Sequence, residues 1–462
     1  FFLIPLYTHY LTPADYGVLE MIDLTCTIIS FILGMGITNS ILRFYAEYDQ
    51  KSDKEEVVNS ALIFALITGI VITYVLINTS YYFSRFVLIN NEYSVLFKLA
   101  FFNLFLAIIH THCKTIFRVE GKPKTFVYTS IYTTVVALVF NIYFIAILQI
   151  GVIGFYYSSI IAFLPITIVL LFNQFKKQKI TFSTKKIKKM LGYGIYFIPT
   201  LLIMFIINFS DRIFLRIYAD LDTVGLYALG YKMGMIIFFL FGIPFQQVWG
   251  AYAFEIEKKK NANEVFGRIM TYYMLLGVFS ALSLSVLSRE LITIIADKAF
   301  IDSHVIPFIA FSAVFYNAEL VTKIGILINK KTHYLPVITG ITAIINIFLN
   351  IILIPKYGMT GAATATLISF IFFPIASFVV SQRMYPIKYE VDRILKCVIF
   401  AIVLVLVSKL VNFDSLGETI VVKIFIIGCF PLVLWLMNYF HDTEKEEIKL
   451  FIYKLSKARE TT

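Results

Sequence analysis

The side chains best placed to do chemistry are ionisable groups inside apolar runs. Of the 40 Lys and Arg in the 462 residues, Lys98, Arg212, Lys232, Lys323 and Lys423 lie in stretches otherwise made of hydrophobic residues. A charge at the centre of a bilayer costs roughly 2.5–3.5 kcal/mol on insertion scales, so Arg212, Lys232 and Lys323 are each expected to face an interior and meet a partner, whereas Lys98 and Lys423 lie close enough to span ends to snorkel. Asn208, Arg212 and Arg216 are spaced four apart with Asp211 beside them, one polar stripe on one helix face. The stripe suits either an anion held at Asn208 and Arg212 or an internal Asp–Arg pair locking two helices. Lys232 sits between Gly230 and Gly234, small residues that admit a neighbouring helix, so it must reach a lumen or a carboxylate. Asn103, His110, Lys114 and Arg118 recur at seven, four and four, a stripe that ends in two cations. Glu20, Asp23 and Thr27 are three and four apart, with Arg43 at the far end of the same run. Asp23 suits a coupling-ion carboxylate or the partner of a distant cation, whereas Glu20 is expected to be solvated near the surface. Glu319 and Lys323 are four apart in the order that favours an ion pair within one helix.

What is missing narrows the chemistry. There is no Gly-x4-Gly-Lys-Ser/Thr, no His-Glu-x2-His and no Gly-x-Ser-x-Gly. Cys26, Cys113, Cys397 and Cys429 lie far apart inside apolar runs and make no metal-ligand spacing. The expectation is a non-enzyme without cofactor, coupled at most to protons or sodium.

The elements that position these groups follow from composition. Hydrophobic residues make up 59%, charged residues 15%, and mean hydropathy is +0.82. Such a chain is solvated by lipid. A helix needs roughly 20 apolar residues to cross the hydrocarbon, and about fourteen such stretches can be marked off. The chain opens at Phe1 inside an apolar run and is expected to lack the start of its first helix; nothing there has the form of a signal peptide. Counting Lys and Arg in alternate gaps gives 29 against 6, which predicts both termini on the cytoplasmic side. The net charge of +11 thereby reads as orientation rather than nucleic-acid binding.

The sequence also repeats. Tyr7 and Asp15-Tyr16-Gly17-Val18-Leu19 are echoed by Tyr218 and Val224-Gly225-Leu226-Tyr227, at offsets of 211 for the tyrosines and 208 for the glycines. Asn141 and Gly151-Val152-Ile153-Gly154 are echoed by Asn350 and Gly358-Met359-Thr360-Gly361, at offsets of 209 and 207. One period holds six spans, so the halves enter the membrane in the same sense, related by an axis along the membrane normal. The expected fold class is an all-α polytopic membrane protein, two six-helix bundles in parallel repeat plus two C-terminal helices. Expected boundaries are 1–173 and 191–382 for the bundles, a basic linker at 174–190, the two added helices at 383–440, and an amphipathic tail at 441–462 with Ile448, Phe451, Ile452 and Leu455 on its apolar side.

Pro5-Leu6-Tyr7, Leu11-Thr12-Pro13-Ala14-Asp15-Tyr16-Gly17, Gly36 and Arg43-Phe44-Tyr45 resemble the opening of Wzx-type polysaccharide flippases of the multidrug/oligosaccharidyl-lipid/polysaccharide exporter (MOP, MATE-like) superfamily. Ile198-Pro199, Asp211-Arg212, Lys232 and Tyr357-Gly358-Met359-Thr360-Gly361-Ala362-Ala363 extend the resemblance through the second half. It implies movement of an undecaprenyl-diphosphate-linked oligosaccharide from the cytoplasmic to the periplasmic leaflet of a bacterial inner membrane, for O-antigen (lipopolysaccharide), capsule or exopolysaccharide. Implied partners are that lipid-linked cargo, membrane lipid, and the glycan polymerase and glycosyltransferases of the pathway. A diphosphate needs cations, and Arg43, Lys114, Arg118, Asn208, Arg212 and Lys232 are the candidates for it. Asp23, Asp211, Glu319 and Lys323 are the candidates for coupling or ion pairing. Two other readings are a cation-coupled drug exporter, disfavoured because deep bases are at least as numerous as deep acids, and a membrane glycan polymerase or ligase, disfavoured by the lack of a large outer loop.

Overall fold

In the computed structural model the described residues are 3–34, 36–177, 181–411, 413, 415–442 and 444–446, and every element among them is helical. The chain folds into two compact units, Phe1–Leu229 with Ile295–Ser303 and Thr339–Thr366, and Gly230–Ile294 with His304–Ile338 and Leu367–Thr462. The first holds α1 (Ile4–Tyr10), α2 (Pro13–Gly34), α3 (Ile37–Glu47), α4 (Lys51–Val87), α5 (Ser94–Val119), α6 (Pro123–Asn141), α7 (Val152–Lys177), α8 (Thr184–Gly194), α9 (Phe197–Tyr218) and most of α10 (Leu221–Gly234). The second holds α11 (Ile243–Glu257), α12 (Ala262–Val286), most of α13 (Ser288–Ile295), α14 (Ile306–Thr322) and α15 (Ile324–Ile328). Helix α16 (Tyr334–Gln382) gives its middle to the first unit, and α17 (Val391–Ser408) and α18 (Leu416–Leu436) complete the second.

Among the described residues, eleven helices are long and apolar enough to cross a membrane. The difference from the expected fourteen has local causes. The 49 residues of α16 cover two expected spans, α1 has 7 residues, and α17 is 18 residues long with Asp392, Arg393 and Lys396 in its first turns. Gly358 (φ 54°, ψ −130°) breaks α16, so its two halves are separate helices in direction. The equivalent Gly151 (φ 67°) makes the turn into α7, so both repeats bend at the same point on a residue without a Cβ.

The repeat is visible in other details of the first unit. Thr12 and Asp15 cap α2 reciprocally: the Thr12 backbone N–H donates to Asp15 Oδ2 and the Asp15 N–H to Thr12 Oγ1, both at 3.1 Å. At the start of α10, 208 residues on, the types are exchanged, and the Thr223 N–H donates to Asp220 Oδ1 at 2.8 Å. The side-chain and backbone hydrogen bonds from Thr223 hold the Asp220 carboxyl below its ordinary range. Between these two helix starts the backbones touch. A Cβ on Gly17 would lie 2.1 Å from the Leu221 carbonyl oxygen, and one on Gly225 would lie 1.9 Å from that of Pro13. Equivalent glycines therefore pack each against the other's helix, as a two-fold relation requires. Each repeat also ties its fifth helix to its first: Tyr7 Oη donates to Asn141 Oδ1 at 2.9 Å, and Asn350 Nδ2 to Ser210 Oγ at 3.4 Å.

The part of the 174–190 linker that forms α8 is packed in place: Ile187 and Met190 are buried with Ile37 and Ile41. Lys186 pairs with Asp53 at 2.7 Å and Glu56 at 2.6 Å, and Ser40 Oγ donates to the Met190 carbonyl at 2.8 Å. The tail's apolar residues Ile448, Phe451, Ile452 and Leu455 lie outside the described residues. In the second unit, Phe266, Val278 and Leu282 of α12 pack with Ala310, Val314 and Ala318 of α14, and Cys397 and Phe430 seat α17 and α18 on the same core.

Gly17→Val and Gly225→Val are each expected to abolish monodisperse folded protein, because the added atoms meet backbone that cannot yield. Gly192→Ala and Gly340→Ala, with nothing within 4 Å of the added Cβ, should elute like the parent chain in size-exclusion chromatography.

Candidate functional site

Helix α9 carries a guanidinium into the interior of the first unit. Arg212 is 1% exposed. Its Nη1 donates to Asp211 Oδ1 at 2.8 Å and to the Asn208 carbonyl at 2.6 Å, and its Nε lies 3.4 Å from Glu20 Oε1 on α2. The rings of Phe209 and Tyr227 lie 5.3 and 5.4 Å from its central carbon, close enough for cation–π attraction. Asp211 is buried as well. Its second oxygen accepts from the Tyr227 hydroxyl on α10 and, at 3.5 Å, from Thr366 Oγ1 on α16. One turn of polar residues on α9 thus engages α2, α10 and α16, all within one unit. Beside it Ser210 Oγ donates to Asn346 Oδ1 at 3.0 Å. Removing one partner from such a buried pair typically costs 3–5 kcal/mol, since the other charge is left in a medium that cannot solvate it. The cluster is suited to fixing helices against one another.

Arg212 was expected to hold an anion or to lock two helices, and in this conformation it occupies the second arrangement. Asn208 is half-buried, its side chain donating to Met204 O at 2.8 Å and its carbonyl accepting from Arg212. Glu20 requires a correction: expected in solvent, it is 5% exposed and faces Arg212, while Asp23 is exposed. The signal for this was present in Gly17. It brings α2 against α10, and the residue three further on must then face the same interior.

The remaining cations are more open. Arg43 is exposed with its guanidinium 4.5 Å from the Tyr193 ring, and half-buried Lys114 stands at the same distance over Phe126. Arg118 is exposed. In the second unit Lys232 is exposed, and the close helix expected beside its glycines is α14: a Cβ on Gly234 would lie 2.6 Å from Ile309 Cβ. Lys323 Nζ donates to Glu319 Oε2 at 2.8 Å. Arg216 donates to the Leu88 carbonyl at 2.5 Å, just past the end of α4, where a cation complements the helix dipole.

Two clusters of the second unit were not foreseen. Lys423, expected to snorkel, is buried and donates to Glu290 at 2.6 Å, so α18 is held to α13 by an ion pair. Arg393, counted among the orienting cations, is also buried, with Glu390 and Glu444 each at 2.8 Å and the Tyr439 ring at 4.7 Å. Partial burial would raise the Glu444 carboxyl, but hydrogen bonds from Tyr272, the His441 N–H and Arg393 outweigh it and bring it below its ordinary range. Among the described residues no group of three or more His, Cys, Asp or Glu is placed to hold a metal ion.

The family profile described as "polysaccharide biosynthesis protein" matches residues 1–250. The chain belongs to that family. A probable low-salt glycan biosynthesis flippase, Agl15 of Haloferax volcanii, is 22% identical over 253 residues, covering 53% of this chain and 52% of that protein. The chain spans about half the length of the curated relatives it matches, 40% of one and 52% of the other. In fold it is similar to the lipid II flippase MurJ in an inward closed conformation, with TM-score 0.72, 17% identity, and 94% of this chain and 95% of that one covered. It is also similar to a MATE multidrug resistance transporter of the MOP superfamily in its inward-facing conformation, with TM-score 0.61, 15% identity, and 85% and 94% covered. The fold is the one shared by these two solved structures, and the chain is a multi-pass membrane protein.

Lys423→Met should lower the melting temperature of the purified protein by the equivalent of about 3–5 kcal/mol by leaving Glu290 buried without its cation. The double variant Lys423→Met/Glu290→Met should recover most of that loss. Recovery in the double variant separates a buried pair from a solvated one.

Proposed function

We propose that this chain is a flippase that moves a lipid-linked oligosaccharide between leaflets by alternating access. The observation that carries the reading is the family match over residues 1–250, supported by a MurJ-like course over 94% of the chain. The proposed cargo is an undecaprenyl-diphosphate-linked oligosaccharide, taken from the cytoplasmic to the periplasmic leaflet of a bacterial inner membrane, for O-antigen, capsule or exopolysaccharide. The pathway's polymerase and glycosyltransferases are proposed partners, and both termini are placed in the cytoplasm.

In that orientation Gly17 and Gly225 lie at the outer ends of α2 and α10. Their contact holds those two helix ends together. Arg43, Lys114 and Arg118 stand toward the cytoplasmic ends of α3 and α5 in the first unit and are cations proposed to receive the diphosphate, whose oxygens are strong acceptors for charge-assisted hydrogen bonds; Lys232, in the second unit, is proposed by itself as a further cation for the cargo. Asn208 and Arg212 act behind them, through the cluster that sets α2 against α9. Coupling to a proton or sodium gradient is assigned to Asp23 and Asp211, and Glu319–Lys323 to an internal pair. The glycan-flippase name of the Haloferax relative favours this cargo over a cationic drug, and it speaks for transport over polymerisation.

The test is reconstitution in vesicles with a fluorescent lipid-linked oligosaccharide diphosphate. The parent chain should flip it, and Arg43→Ala/Arg118→Ala and Lys232→Ala should each slow flipping about tenfold or more, as expected for losing interactions of roughly 1.5–3 kcal/mol. Arg212→Ala should abolish flipping. No flipping by the parent chain, or full rates in all three variants, would reject the reading.

A further inference from the structure

At one rim of the first unit, where α3 ends, α4 begins and α5 turns into α6, there is a hollow of about 320 Å³. Its wall has an unusual charge composition. Lys51, Lys54 and Lys122 supply three ammonium groups, Glu55 and Glu120 two carboxylates, and Tyr45 a ring and a hydroxyl. The charges are ordered in space. Lys51 Nζ is 3.8 Å from Glu55 Oε1, Lys122 contacts Glu120, and Lys54 Nζ stands 5.5 Å from the centre of the Tyr45 ring. Two of the lysines therefore stand beside the two carboxylates and the third over the ring, with a net charge of one positive.

The location says where a ligand comes from. The hollow lies between the ends of four helices apolar enough to cross a bilayer, Pro13–Glu47, Lys51–Val87, Ser94–Val119 and Pro123–Ile147, at the depth of lipid headgroups. Its volume is at the small end of the roughly 300–1,000 Å³ of small-molecule sites. That admits a headgroup and excludes an oligosaccharide. A purely anionic headgroup would meet the two carboxylates, and a purely cationic one the three lysines. A headgroup that carries a phosphate and a primary ammonium a few atoms apart satisfies both sets: the phosphate takes charge-assisted hydrogen bonds from the lysines, and the ammonium N–H groups donate to Glu55 and Glu120.

We propose that this hollow is a binding site for a zwitterionic phosphoethanolamine headgroup from the adjoining leaflet. Its wall shares no residue with the Arg212 cluster or with the cations assigned to cargo, although Arg43 and Arg118 lie two residues from Tyr45 and Glu120, and its test reads lipid binding rather than flipping.

The full chain in phosphatidylcholine nanodiscs, titrated with phosphatidylethanolamine or phosphatidylglycerol and read by native mass spectrometry and thermal shift, tests it. The ethanolamine lipid should bind about tenfold tighter than the choline lipid, whose quaternary ammonium has no N–H to give the carboxylates. Soluble glycerophosphoethanolamine should compete. Lys54→Gln/Lys122→Gln should remove the bound lipid, and Glu55→Gln/Glu120→Gln should equalise ethanolamine and choline while phosphate binding persists. The second pair keeps the test sharp if the first is less stable. Equal binding of ethanolamine and choline by the parent chain would overturn the proposal, as would tighter binding of phosphatidylglycerol or a preference that survives both double variants.

Discussion

A charge buried in this protein must find its counter-charge within the protein, because the surrounding lipid offers none. Arg212 obeys this most completely. Its partners come from its own helix and from α2, while Asp211 beside it is bonded from α10 and α16. Helices that have no hydrophobic reason to prefer one another in lipid are thereby given one geometry. Lys423 with Glu290 and Lys323 with Glu319 follow the same rule in the second unit, at contacts of 2.6 and 2.8 Å. Apolar side chains fill the space between helices, and the polar contacts select which helices meet.

Duplication gives the first unit its form. Positions 208 residues apart start α2 and α10, cap them with the same pair of residue types in exchanged order, and place a glycine where the other backbone passes. The contact is made of backbone against glycine, so the two helix starts pass without side chains between them. The charged cluster lies about one turn further along α2 and ties the same helices to α9.

Much of this was legible in the residues. The apolar runs gave the helices, and the echo of Gly17 in Gly225 and of Asn141 in Asn350 gave the repeat. The four-residue spacing of Glu319 and Lys323 gave a pair formed within one helix. Partners distant in sequence were harder to see. Lys423 and Glu290 are 133 positions apart, and nothing local says which lysine near a span end is buried and which reaches water. Glu20 and Asp23 differ by less than one turn, so their exchange of environments depends on how α2 is rotated against α9 and α10. The basic stretch containing Lys186 reads as linker by composition. It is held as structure because Ile187 and Met190 find a core and Asp53 and Glu56 neutralise the lysine.

The central claim is that Glu20 and Arg212 act as one buried pair. A double-mutant cycle with Glu20→Gln and Arg212→Gln, read by thermal or denaturant unfolding in lipid nanodiscs, measures it directly. The account predicts that the two single losses do not add, with a coupling of about 1–3 kcal/mol and the double variant close to the worse single one. Additive losses would contradict it.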